Sequence, residues 1–162
     1  MPYHHVVHKI IELLNKSGYW YQTFKHEPVR TSEQAAKTRP GFTISQGAKA
    51  IIVRVKKSGG EKFFIMLVLP ADKRIDFDKV KDLLEVKDIR FAGDDEISKI
   101  TSGVEPGGIP PLGNLFDLKV IADPHLFENE KIVFNAGDRR FSLAVKSADY
   151  HKLVSPRISS II

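Results

Sequence analysis

Cysteine is absent from the 162 residues. That removes disulfide scaffolds, cysteine-type zinc sites and any thiol nucleophile supplied by the chain itself. Long apolar runs are missing as well. The longest, such as Phe63–Leu69, has about a third of the length that a membrane span needs. No charged-then-apolar signal segment opens the chain, so a soluble, cytoplasmic protein without membrane contact is expected. The familiar phosphate and nucleophile motifs are missing too: there is no G-x-x-x-x-G-K-[ST], no G-x-G-x-x-G and no G-x-S-x-G. Asp76, Asp78 and Asp82 lack the glycine and ligand spacing of a calcium loop and read as helix capping and a solvated face. His4 and His8 are four apart, but no third ligand accompanies them. His26, His125 and His151 are scattered and none is paired with a nucleophile. No metal and no cofactor is expected.

What is present suits one compact unit. Hydrophobic residues make up 42% of the chain, enough for a core, and the length fits a single domain over residues 1–162. The net charge of +5 and pI of about 9.4 lean toward an anionic partner without requiring one.

Val6, Val7, Ile10, Ile11 and Leu14 recur at helical spacing and Gly18 stops them, which predicts an amphipathic first helix. Residues 19–26 are aromatic and β-branched, as in a strand. Thr31 and Gln34 have the spacing of a capping box for a short helix ending near Thr38. Residues 48–55 and 62–69 form a hairpin through Gly59-Gly60, and the second run does not alternate, so both of its faces should be covered at the centre of a sheet. Asp76 caps a helix, residues 89–92 form a strand, and residues 94–101 form a second short helix. Strands over 118–122, 131–135 and 140–145 precede a final helix capped by Ser147. Strands and helices alternate irregularly, which predicts a mixed α/β fold.

Two features stand apart. Residues 103–113 hold four of the 11 glycines and three of the nine prolines, the composition of a loop with a fixed shape and exposed N–H groups. Lys49 opens an apolar strand in the row of Ile51 and Val53, so it stands either at an exposed strand end or in a pocket.

Gly47-Ala-Lys-Ala-Ile-Ile-Val, Val68-Leu-Pro-Ala-Asp72, the loop 103–113 and Val133-Phe-Asn-Ala-Gly-Asp-Arg139 occur in that order. In this the chain resembles the YbaK/prolyl-tRNA-synthetase-associated family of trans-editing aminoacyl-tRNA deacylases, from about Gly18 to Val154. The resemblance implies a central mixed, partly barrel-like β-sheet flanked by helices, with one pocket. It implies hydrolysis of the ester on mischarged tRNA, most often tRNA(Pro) carrying Cys, Ala or another small residue. The partners it implies are the tRNA acceptor end and prolyl-tRNA synthetase. Carried over by position, Lys49 engages the terminal nucleotide or the ester, and Gly107 and Gly108 line the reaction centre. Ile109 follows them, Asn135, Ala136 and Gly137 border the pocket mouth, and Asp123 occupies an often acidic position. Phe24 stands where some relatives have tyrosine, and Pro110-Pro111 where they have a less constrained pair.

An aminoacyl ester is already activated, so donors placed at its carbonyl and one held water, or the substrate's own thiol, suffice to cleave it. A tRNA-binding adaptor without chemistry and a hydrolase of other activated esters are the alternatives.

Overall fold

The computed structural model describes residues 2–29 and 31–162. Helix α1 (His5–Ser17) opens the fold, and strand β1 (Tyr21–Lys25) and helix α2 (Ser32–Lys37) follow. The predicted hairpin is present as β2 (Ala48–Lys56) and β3 (Lys62–Pro70). Helix α3 (Phe77–Leu84), strand β4 (Asp88–Phe91), helix α4 (Asp94–Thr101) and strand β5 (Val120–Ala122) come next. Strands β6 (Lys131–Asp138) and β7 (Phe141–Lys146), helix α5 (Ser147–Val154) and strand β8 (Arg157–Ile158) complete the chain.

The strands form two sheets rather than the single central sheet expected. One is antiparallel, in the order β1-β7-β6; the other is mixed, in the order β4-β2-β3-β5-β8. They meet through a parallel bridge between Gly47 and Val133, and neither closes on itself, so the barrel likeness is partial. The mixed sheet arises because β3 pairs β2 as a hairpin on one side and takes β5 in parallel on the other.

Strand β3 is central and covered on both faces, as its lack of alternation requires. Met66 and Val68 enter the core between the sheets, with α1 residues Val6, Ile10 and Leu14. Ile65 and Leu67 enter a second core beneath Val80 of α3. Leu67 is fully buried; truncating such a side chain to alanine costs about 2–5 kcal/mol.

Caps match the sequence at most ends. The Thr31 side chain accepts from Gln34 N, Asp76 accepts from Asp78 N and Lys79 N, and Gly18 ends α1 in the left-handed region. Ser147 is a correction: it is the first residue of α5, and its hydroxyl donates to the Asn129 carbonyl at 2.6 Å instead of capping. His4 caps α1 through its ring, accepting from Val6 N. No helix among the described residues is long and apolar enough to cross a membrane.

Candidate active site

The loop 103–113 divides into two halves with different work. In the second half Pro110, Pro111 and Gly113 are buried, and Tyr150 donates to the Pro111 carbonyl at 2.6 Å. A Cβ on Gly113 would stand 2.5 Å from Val120 Cγ2 and 2.8 Å from the Leu118 carbonyl. Only glycine fits there. The first half, Pro106–Gly108, is a single 3-10 turn beside strand β6.

Against that turn lies a cavity of about 180 Å³. Its floor and near wall are Gly47, Ala48, Lys49 and Ala50 at the start of β2. β4 pairs with β2 only from Val53 onward, which leaves the ladder open along this stretch. Ala35 and Arg39 come from α2 and the turn after it, with Thr31, Ser32 and Thr43 at the rim. Pro106, Gly107 and Ile109 face them from the loop, and Asn135 from β6. Among the described residues of this wall the charged ones, Arg39 and Lys49, are both basic, and no Asp or Glu is present.

Asn135 organises the site. Its Nδ2 donates to the Gly107 carbonyl at 2.7 Å, and its Oδ1 accepts from Arg39 Nη2 at 3.1 Å and from Ser142 Oγ at 3.2 Å. Arg39 Nε also donates to Ser142 Oγ, at 3.0 Å, and His26 Nε2 lies 2.8 Å from the same oxygen. The register places Asn135 opposite Ser142 just before a bulge between Asn135 and Asp138. The bulge sets where the strand leaves the ladder and turns the carboxamide toward the loop.

Arg39 is 6% exposed and has no carboxylate partner among the described residues. Burial pulls its pKa down to about 10, so it stays charged at neutral pH. Lys49 is half-buried, and its Nζ donates to the Lys73 carbonyl at 2.9 Å. Burial, with the neighbouring charge of Arg74, lowers its pKa, and Asp72 opposes them in part.

The residues anticipated from sequence separate cleanly. Lys49, Gly107, Ile109 and Asn135 line the cavity together. Gly108 lies behind it: the residue is buried and its N–H donates to the Glu105 carbonyl at 2.8 Å, inside the turn. The Gly107 and Ile109 N–H groups have no hydrogen-bond partner among the described residues, so the open donors fall on either side of Gly108. Ala136 is fully buried in the core between the sheets. Gly137 adopts φ of 101°, and a Cβ there would stand 2.8 Å from Val6 Cγ1, so it serves the approach of α1. Phe24 packs edge-to-face on Phe42 at 5.8 Å, outside the cavity wall.

Asp123 is the clearest correction. It is fully buried, and its carboxylate accepts from His125 N at 2.9 Å and from Ile161 N at 3.0 Å, with His125 Nδ1 at 2.7 Å. Burial pushes its carboxyl upward, but the N–H groups of Ile161 and His125 outweigh that and hold it below the ordinary range. It pins the C-terminal tail and does not reach the cavity. Arg39 is the residue that sequence reasoning missed. A lone arginine before Pro-Gly carries no spacing signal, and a solvated arginine in a turn would look the same.

The aminoacyl-tRNA editing domain family matches this chain over residues 26–153. The multifunctional Ser/Thr-tRNA deacylase ProXp-y of Escherichia coli K12 is 32% identical over 151 residues, 93% of this chain and 89% of that protein. The proline–tRNA ligase of Trichlorobacter lovleyi is 36% identical over 107 residues, 66% of this chain but 18% of the ligase. A solved structure described as a proposed trans-editing enzyme for prolyl-tRNA synthetase superposes with a TM-score of 0.79. At 18% identity over 96% of both chains, it shares the fold.

Proposed function

The chain belongs to the aminoacyl-tRNA editing family and is an aminoacyl-tRNA deacylase, and we propose that it clears tRNA carrying a small amino acid, serine or threonine foremost, by attack of a held water on the ester. The observation that carries this reading is the cavity wall. It is small, at about 180 Å³, and its rim hydroxyls Thr31, Ser32 and Thr43 offer partners to a hydroxylated side chain. The likeness to a Ser/Thr-tRNA deacylase supports the same choice. Alanine and cysteine are the other small residues expected, but a methyl or thiol leaves those hydroxyls poorly matched.

In this reading the ester carbonyl sits at the Pro106–Ile109 turn, and the N–H groups of Gly107 and Ile109 stabilise the developing oxyanion. Such a donor is worth roughly 2.7–4 kcal/mol in a hydrolase. The Gly108 N–H, spent on Glu105, takes no part. Serine and threonine hydroxyls would have to close a strained four-membered ring to attack their own ester, so water is the nucleophile. Lys49, a charged hydrogen-bond donor in the same wall, polarises the ester and needs no role as base. The proposed carrier is tRNA(Pro), held by its acceptor end, with prolyl-tRNA synthetase as partner, and residues 1–162 act as one editing domain. Single-turnover deacylation of Ser-, Thr-, Ala- and Cys-tRNA(Pro) tests the choice. Serine and threonine should be released fastest; faster release of alanine would refute the role given to the rim hydroxyls.

A further inference from the structure

The most unusual group in the site is the Arg39 guanidinium. It is nine-tenths buried, yet its two recorded hydrogen-bond acceptors, Ser142 Oγ and Asn135 Oδ1, are both neutral. An uncompensated buried cation is costly, and one held in place by packing and neutral hydrogen bonds is ready for an anion. Among the described residues two of its five N–H donors have partners; both on Nη1 and one on Nη2 remain. Nη1 stands 3.8 Å from where a Cβ would be on Gly47, a cavity-wall residue at which Ala71 Cβ (3.0 Å) and the Ile44 carbonyl (3.1 Å) leave no room for a side chain between the guanidinium and the strand.

We propose that Arg39 binds the 5′-phosphate of the tRNA's terminal nucleotide and so positions the ester at the Gly107 turn. The inference rests on the deacylase reading above and names the substrate group that this part of the cavity takes. The ligand class follows from charge. An aminoacyl ester is neutral at the carbonyl and basic at its amino group, so the only anions the substrate brings are its phosphates. A guanidinium fork matches a phosphate bidentately. The geometry suits a nucleotide, since Asn135 holds Arg39 at one end of its carboxamide and Gly107 at the other. A terminal ribose likewise carries its ester and its 5′-phosphate on opposite sides. Lys49 is the other cation of the wall; one of its N–H groups donates to the Lys73 carbonyl, and the others are left to the ester end of the nucleotide.

The test compares two small substrates, 3′-O-seryl-adenosine and 3′-O-seryl-adenosine 5′-monophosphate, with wild type, Arg39→Met and Arg39→Lys. In wild type kcat/KM should favour the phosphorylated ester by roughly 10- to 100-fold, the range of one charge-assisted contact. In Arg39→Met that ratio should fall to about one, and Arg39→Lys should keep part of it as a point charge. A merely structural role would lower both esters in parallel and leave the ratio unchanged, which would overturn the proposal; so would a wild-type ratio near one. If Arg39→Met does not fold, wild type and Arg39→Lys decide alone, a ratio unchanged by the lysine being the contrary result. If wild type cleaves neither ester nor charged tRNA, the deacylase mechanism fails separately. Adenosine monophosphate and adenosine titrated into wild type and Arg39→Lys then decide by affinity, with no preference for the monophosphate overturning the phosphate site.

Discussion

Asn135 Nδ2 donates a 2.7 Å hydrogen bond to the Gly107 carbonyl, so strand β6 holds the glycine turn of a loop 28 residues earlier in the chain. The turn whose Gly107 and Ile109 N–H groups are proposed to meet the oxyanion is thereby fixed through the Gly107–Gly108 peptide that lies between them. Asn135→Ala should lower kcat/KM roughly 10- to 100-fold through misplacement while shifting the melting temperature by only a few degrees. Asn135→Asp should lose at least as much activity, because a carboxylate faces the Gly107 carbonyl and pairs with Arg39. It should also unfold at a higher temperature than Asn135→Ala, since it gives the buried cation a counter-ion. Steady-state kinetics beside thermal unfolding check both.

Lys49→Ala should reduce deacylation of charged tRNA about 100-fold or more and leave the fold intact, because the side chain is half-buried at a strand end and crosses neither core. Burial, then Arg74, lowers the Lys49 pKa. Activity that needs the ammonium should therefore fall, as pH rises, earlier than an ordinary lysine would dictate. Lys49→Arg, charged throughout, should lose that alkaline decline. A pH–rate profile of kcat/KM reads both effects, and an alkaline limb unchanged in Lys49→Arg would remove the lysine from the mechanism.

Much of this fold was legible because its signals are local. The unalternating run of β3, the glycine-tipped hairpin and the Thr31 and Asp76 caps each follow from neighbouring residues. The division into two sheets was not legible, because it depends on the pairing of β3 with β5 and of β1 with β7, which no local pattern specifies. The site divided in the same way. Lys49, Gly107, Ile109 and Asn135 were identified through a resemblance and do meet in one cavity. Arg39 reaches it through bonds to residues 96 and 103 positions away. Asp123 was misjudged because an acidic residue before a helical turn reads alike whether it faces substrate or a chain terminus.

Asp123→Ala should destabilise by about 1–3 kcal/mol, since it leaves the buried Ile161 N–H unpaired and removes the contacts to the more exposed His125. Deacylation at a temperature where the variant is still folded should be close to wild type. Denaturant unfolding and kinetics on the same preparation separate the two. A selective loss of kcat/KM in a stable variant would return Asp123 to the site.

Asp138 gives a pH signature of stability. The Arg140 guanidinium hydrogen-bonded to its carboxylate holds its pKa down at about 2, with help from the Arg140 and His4 N–H groups and against partial burial. An unfolded aspartate titrates near 3.9, so the folded state gains stability above that pH and loses it as pH falls through about 2. Asp138→Asn should cost about 1–3 kcal/mol at neutral pH, and the gap should close between pH ~4 and ~2. Urea unfolding across that range measures it.

In the proposed reaction this cavity cleaves an aminoacyl ester with its own turn donors and a water. Multiple-turnover release of serine from Ser-tRNA(Pro), at stated salt and with the enzyme well below the tRNA, tests it most directly. Wild type should release many moles of serine per mole of protein, Lys49→Ala should stay near background, and Asn135→Ala should turn over roughly 10- to 100-fold more slowly than wild type. Tight tRNA binding with no release above the spontaneous rate would contradict it and leave a binding protein in its place.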